Sequence, residues 1–192
     1  MRKLIIALLA VSTFAACKKE STDPSNNNNN NNNNGGFTVP TTSYYKIDGK
    51  ANTSSMDAAS DIMMGGNFGI TKKFDDLQIT TSGLRVFFTK STNANGPDIM
   101  SMVPEGGYKE FPITGAPGTN SNDSIRVELD VESSGYYFYK ASAGKIYISK
   151  KDGKLRYTSG GTIQVSGWKY PDQTNTSFTR TVEFSIQVGD QL

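Results

Sequence analysis

Ile125-Arg126-Val127-Glu128-Leu129-Asp130-Val131 is the stretch on which the fold turns. Its four apolar residues alternate with Arg, Glu and Asp at period two. In an extended strand that puts the apolar set on one face and the charges on the other. One face is core and the other is wet.

The same grammar runs outward in both directions. C-terminal to it, Gly135 turns the chain into residues 136–140 and Gly144 into residues 145–150, where Ile146 and Ile148 point inward. Asp152-Gly153 then reads as a two-residue hairpin into Leu155-Arg156-Tyr157, because both central positions of a type I′ turn need positive φ. Residues 162–168 follow Gly160-Gly161. The series Phe178, Val182, Phe184, Ile186 and Val188 spans what reads as the longest strand.

N-terminal to the key stretch, Leu77, Ile79 and Thr81 share a face, Ser82-Gly83 offers a turn, and Leu84, Val86 and Phe88 repeat the alternation as a hairpin. Residues 99–103 read as a further strand, and residues 108–113 as an edge strand, since Pro112 cannot donate to a ladder. Residues 43–48 form a first strand ended by Asp48-Gly49. Between Met56 and Asn67 one or two helical turns stopped by Gly65-Gly66 compete with a strand around Ile62, and the strand is preferred. About nine or ten short strands with glycine turns predict an all-β antiparallel sandwich, with a calyx-like barrel as the alternative. The expected core includes Val127, Leu129, Ile146, Ile148, Ile163, Val165, Val182, Phe184 and Ile186.

The first seventeen residues have another character. Arg2 and Lys3 precede an uncharged apolar run of 11 residues from Leu4 to Phe14, and Ala15-Ala16 then lead into Cys17, the chain's one cysteine. A helix crossing hydrocarbon needs roughly 20 apolar residues, so residues 1–16 read as a removable secretory signal. Phe14-Ala15-Ala16-Cys17 resembles the lipobox of bacterial lipoproteins, with Phe14 where Leu is usual. The resemblance implies that Cys17 is acylated on sulfur and becomes the new N-terminus, and that the chain is held on the outer membrane of a cell envelope by lipid. One acyl chain gives only marginal binding, whereas two or three anchor a protein stably.

Residues 17–36 carry nine consecutive asparagines, Asn26 to Asn34, closed by Gly35-Gly36. Nothing there offers apolar surface to offset the entropy of ordering, so it reads as a flexible tether, and the stretch from Lys18 to Pro40 has a typical end-to-end distance of about 25 Å. Lys18-Lys19-Glu20 resembles the short charged signal that sends such lipoproteins to the cell surface; a periplasmic face is the other option. Residues 37–192 then form one domain by length.

Composition removes several chemistries. The chain has no histidine, so Ser-His-Asp and Cys-His catalysis and the usual zinc sites lack their parts, and a lone cysteine forms no internal disulfide. Of 20 Lys and Arg, Arg2 and Lys3 leave with the signal, so 18 basic residues face 18 acidic ones. That balance points away from nucleic acid.

Tyr45-Lys46-Ile47-Asp48-Gly49-Lys50, Glu105-Gly106-Gly107-Tyr108, Gly144-Lys145-Ile146-Tyr147-Ile148 with Asp152-Gly153, and Ser159-Gly160-Gly161-Thr162-Ile163-Gln164-Val165 together resemble a family of small Bacteroidota-type surface lipoproteins. The resemblance implies the anchor and the β fold, and assigns no catalytic residue.

Two function classes follow. One is a non-enzymatic binding module, for a glycan or an envelope protein, without cofactor or metal. In Tyr136-Tyr137-Phe138-Tyr139 two rings must face each way, and Tyr137, Tyr139 and Trp168 are the candidate ligand residues, against the plainer use of the same rings as core. The other is a small hydrolase using carboxylates, from Asp57 with Asp61, Asp75-Asp76, or Glu128 with Asp130 and Glu132. Alternating charge beside an apolar face is more simply a solvated surface, and the binding module is preferred. Gly65-Gly66-Asn67-Phe68-Gly69 lacks the ending of a phosphate loop and reads as a turn.

Overall fold

The alternation in Ile125–Glu132 is realised as a strand whose Ile125, Val127, Leu129 and Val131 are buried, and the other strands are built around it. The computed structural model describes residues 36–53, 61–63 (backbone only), 67–88, 99–114 and 123–189. The expected signal, Cys17 and nearly all of the tether lie outside them, as do Asp57, the loop 91–98 and most of 114–124.

In chain order the strands are β1 (Tyr44–Ile47), β2 (Lys50–Ala51), β3 (Asp61–Met63), β4 (Asn67–Phe74), β5 (Ile79–Phe88), β6 (Tyr108–Pro112), β7 (Ile125–Glu132), β8 (Tyr136–Ala141), β9 (Lys145–Lys151), β10 (Lys154–Ser159), β11 (Ile163–Lys169) and β12 (Phe178–Gln187), with one short helix, α1 (Ile99–Met102), between β5 and β6. All these strands pair antiparallel, in the order β3-β4-β5-β7-β8-β11-β12-β10-β9-β6, with β1 on β12 and β2 on β1. The ends of that order, β3 and β6, do not pair, so the sheet is not closed and the calyx alternative falls.

The sheet folds over itself at β12. Phe178 to Val182 pair with β11, and Ser185 to Gln187 pair with β10, so one strand serves both layers. Rings from strands far apart in the order meet across the interior: Phe68 stacks on Tyr157 with centroids 5.0 Å apart, and Phe88 meets Phe111 edge-on at 5.1 Å. This is a sandwich-like arrangement with one continuous core, and it contains every core residue expected from the alternation.

Five expectations are corrected. Ser82-Gly83 is not a turn, because β5 runs straight through it: Ser82 is buried, its hydroxyl donates to the carbonyl of Lys72 at 2.8 Å, and Gly83 sits opposite Asp130. The turn into β5 is instead a 3-10 turn at Asp75–Leu77, closed by Gln78 at φ 53°. Residues 99–103 form α1 rather than a strand: the N–H of Val103 donates to the carbonyl of Ile99 at 3.2 Å, and four-residue spacing buries both side chains on one helical face. Asn67-Phe68-Gly69 opens β4 instead of turning, with Phe68 buried and the Asn67 Oδ1 accepting the N–H of Phe88 at 3.1 Å. Finally, β12 shares its length of 10 residues with β5, and the described strands number twelve rather than nine or ten.

Candidate functional site

Register decides which rings of β8 face outward. Tyr137 and Tyr139 stand opposite Val131 and Leu129, in the core-facing row of β7, whereas Tyr136 and Phe138 stand opposite Glu132 and Asp130. Tyr139 is accordingly buried at 3% exposure. Tyr137 is half-buried and packs edge-on against Phe178, centroids 5.3 Å apart. Trp168 pairs with Phe138, on the other side of the sheet. Tyr137, Tyr139 and Trp168 therefore do not form one surface, and the strand parity behind that grouping is corrected here.

What the pairing does assemble is an outer aromatic row. Trp168 lies against Phe138 with ring centroids 4.9 Å apart. One step further, the N–H of Tyr170 donates to the carbonyl of Tyr136 at 2.8 Å, so the β11–β8 register continues past Lys169 and brings Tyr170 beside Tyr136. Tyr136 is 46% exposed and Tyr170 61%, the most exposed large hydrophobic side chains among the described residues. Backbone pairing thus sets two open rings two residues along the same strands from two half-buried ones.

Charge borders this row. The Lys140 ammonium lies 5.2 Å from the Phe138 ring centre and 5.7 Å from that of Trp168, within cation–π range. From β5, Arg85 reaches Asp130 at 2.5 Å and Glu128 at 3.8 Å. Partial burial, followed by the negative charge of Asp130, pushes the Tyr136 hydroxyl above its ordinary pKa. Glycoside cleavage needs two carboxyl groups facing each other across the sugar. Glu128 and Asp130 are instead neighbours on one strand, tied to one guanidinium. Among the described residues no cluster of His, Cys, Asp or Glu is placed to hold a metal ion.

Of the row, Tyr170 alone also lines a pocket of about 280 Å³, with Lys169, Pro171, Asp172, Asn175 and Phe178; by register Lys169 and Phe178 belong to the core-facing side of the sheet. The pocket's loop is held by its own side chains: Asp172 Oδ1 accepts the N–H and hydroxyl of Thr174 at 2.9 and 2.7 Å, and Asn175 Oδ1 accepts the N–H of Ser177 at 3.1 Å. The bonds from Thr174 hold the Asp172 carboxyl below its usual range. Tyr136 and Tyr170 are the residues that sequence reasoning missed. The sequence alone finds neither: which rings of β8 face outward depends on register with β7, and Tyr170 lies beyond the last alternating residue of β11.

The fold and this row define an antiparallel β-sandwich domain with an exposed aromatic strip on its outer face. The chain matches no protein-family model, no curated protein and no solved structure.

Proposed function

We infer that the chain is a lipoprotein held on the outer membrane through Cys17, and that its β domain is a non-enzymatic module that binds a glycan on the row Tyr136, Phe138, Trp168 and Tyr170. The observation that supports the binding reading is the exposure of Tyr136 and Tyr170, which a backbone hydrogen bond sets beside each other at the end of the two strands that carry the Trp168–Phe138 pair. Rigid, amphipathic rings bind at low entropic cost and tolerate water when unbound. Sugar rings present apolar C–H faces to such rings, while Asp172 and Asn175 beside Tyr170 supply the polar partners that hydroxyl groups need. The anchor reading is supported by the position of the chain's one cysteine at the end of the apolar run, after Ala15-Ala16.

One experiment addresses each half. Retention of the full chain on a glycan array should fall at least tenfold in a Tyr136→Ala/Tyr170→Ala variant; equal retention would end the assignment of this row. Cys17→Ala should move the chain out of the membrane fraction or leave an unprocessed precursor, and normal acyl labelling of that variant would exclude Cys17 as the anchor.

A further inference from the structure

The β9–β10 hairpin carries an electrostatic conflict that a bound anion would resolve. Its register places Lys151 directly opposite Lys154, either side of the Asp152-Gly153 turn. Like charges directly opposite in a sheet repel, and among the described residues neither ammonium has a carboxylate within ion-pair distance. Two residues further along the same face, Arg156 stands between Ser149 and Gln187. Arg156 is only 7% exposed, and its guanidinium donates to the hydroxyls of Ser43 and Ser185 and to the carbonyl of Thr41, each at 3.2 Å. Those bonds hold its charge at a fixed place under the hairpin.

Residues 39–41 form the facing wall, enclosing an open cleft of about 520 Å³ whose described lining holds three cationic side chains and a single carboxylate, Asp152. The hydroxyls of Thr41 and Ser149 and the amide of Gln187 add neutral donors to the same lining. Charged-group hydrogen bonds to a phosphate or sulfate oxygen are stronger than neutral ones, and two lysines flanking one anion attract it instead of repelling each other. The volume has room for the oxyanion and part of the group that carries it.

We propose that this cleft binds a tetrahedral oxyanion, a phosphate or sulfate monoester, between Lys151 and Lys154 and above Arg156. The site shares no residue with the aromatic row and does not depend on the glycan reading. Lys151 and Lys154 contact the oxygens, while Arg156, which already donates to Ser43, Ser185 and Thr41, contributes positive potential from below.

The test uses the full chain carrying Cys17→Ser, so that no acyl group intervenes, with inorganic phosphate titrated against chloride at matched ionic strength. Phosphate should raise Tm saturably beyond the chloride control. Lys151→Gln/Lys154→Gln should act with opposite signs: Tm without phosphate rises as the repulsion is removed, while apparent phosphate affinity falls at least tenfold. The rise without phosphate also verifies that the variant folds. Flotation with vesicles of phosphatidylcholine and phosphatidic acid, but not of phosphatidylcholine alone, and its loss in the double variant, would assign the monoester to a lipid headgroup; a phosphate response without flotation would assign it to a soluble ester. Equal responses to phosphate and chloride, or an undiminished phosphate response in the double variant, would overturn the proposal.

Discussion

Trp168 stands opposite Phe138 across the β11–β8 pairing, ring centroids 4.9 Å apart, on the side of the sheet away from the core, while the intervening Gly167 stands opposite the buried Tyr139. Adjacent positions on one strand thus serve opposite ends, one surface and one core. Alanine substitution should separate them. Tyr139→Ala is expected to cost about 3–5 kcal/mol, the range for emptying a buried aromatic site, whereas Tyr136→Ala or Tyr170→Ala should stay within about 0.5 kcal/mol of the parent. Urea unfolding of the three variants measures both, and comparable losses in all three would mean that the outer row is structural.

Gly167 itself is a packing requirement. A Cβ added there would land on the carbonyl oxygen of Phe138 and lie 2.6 Å from the Cα of Tyr139, and backbone cannot move aside as a flexible side chain can. Gly83, also inside a strand, differs: its added Cβ would meet the Asp130 carboxylate at an ordinary 3.5 Å. Gly167→Ala should therefore cost about 3 kcal/mol, the upper end for overpacking. Gly83→Ala should be neutral or stabilise by about 0.5 kcal/mol, through lower entropy of the unfolded chain. Denaturation midpoints of the two variants should move apart, and a shared loss would place the constraint in backbone conformation instead.

The two layers were legible in the sequence wherever one face of a strand is wet. The charges of β7 alternate with its apolar residues, so its core face could be read directly, and the Asp152-Gly153 turn carried its own signature, realised at φ 51° and 70°. Legibility failed where a local pattern serves two structures. Ile99 and Val103 fit both a period of two and one helical turn. Ser82-Gly83 has turn composition, yet both residues lie inside β5, with Gly83 opposite Asp130 on the neighbouring strand. The four-ring run in β8 fixed that two rings face each way but not which two; that choice depends on register with β7, a tertiary property. Tyr170 was invisible for the same reason, since what brings it to Tyr136 is a backbone hydrogen bond across strands.

Alkaline pH should destabilise the domain through its buried tyrosines. Burial pushes the hydroxyls of Tyr45 and Tyr157 well above the ordinary value, and for Tyr45 the charge of Asp130 adds to it. In the unfolded chain both ionise near pH ~10, while the folded state keeps its protons. Their stabilising contribution is whole below about pH 10, and stability falls as pH rises beyond it, by about 1.4 kcal/mol per pH unit for each such group. Tyr157→Phe should flatten that fall by one group's share. Denaturant unfolding between pH 8 and 12 checks the slope, and phenolate absorbance should show these tyrosines ionising only as the chain unfolds. A stability curve level to pH 12 would contradict the buried placement.

Asp48 ties the first hairpin to the strand that joins the layers. It occupies the left-handed region at φ 49°, before Gly49, in the turn between β1 and β2. Its Oδ1 accepts the N–H of Thr181 at 2.8 Å, its Oδ2 accepts Nη1 of Arg180 at 2.6 Å, and its own N–H donates to the carbonyl of Thr181 at 2.9 Å. Three requirements meet in one residue: tolerance of positive φ, an acceptor for a backbone donor, and a negative charge for Arg180. Substitutions can remove them in turn. Asp48→Asn keeps the first two, since asparagine also tolerates this region, and should cost about 1 kcal/mol, in line with a partly exposed ion pair. Asp48→Gly keeps only the backbone freedom and should cost more. Asp48→Ala loses all three and should cost about 3 kcal/mol, combining a charged hydrogen bond with left-handed strain. Raising salt from 0.1 to 1 M should shrink the difference between the parent and Asp48→Asn, because screening acts on the pair and not on the turn. If Asp48→Ala and Asp48→Asn were equally destabilised, the charge on Arg180 alone would account for the residue, and the turn conformation would contribute nothing.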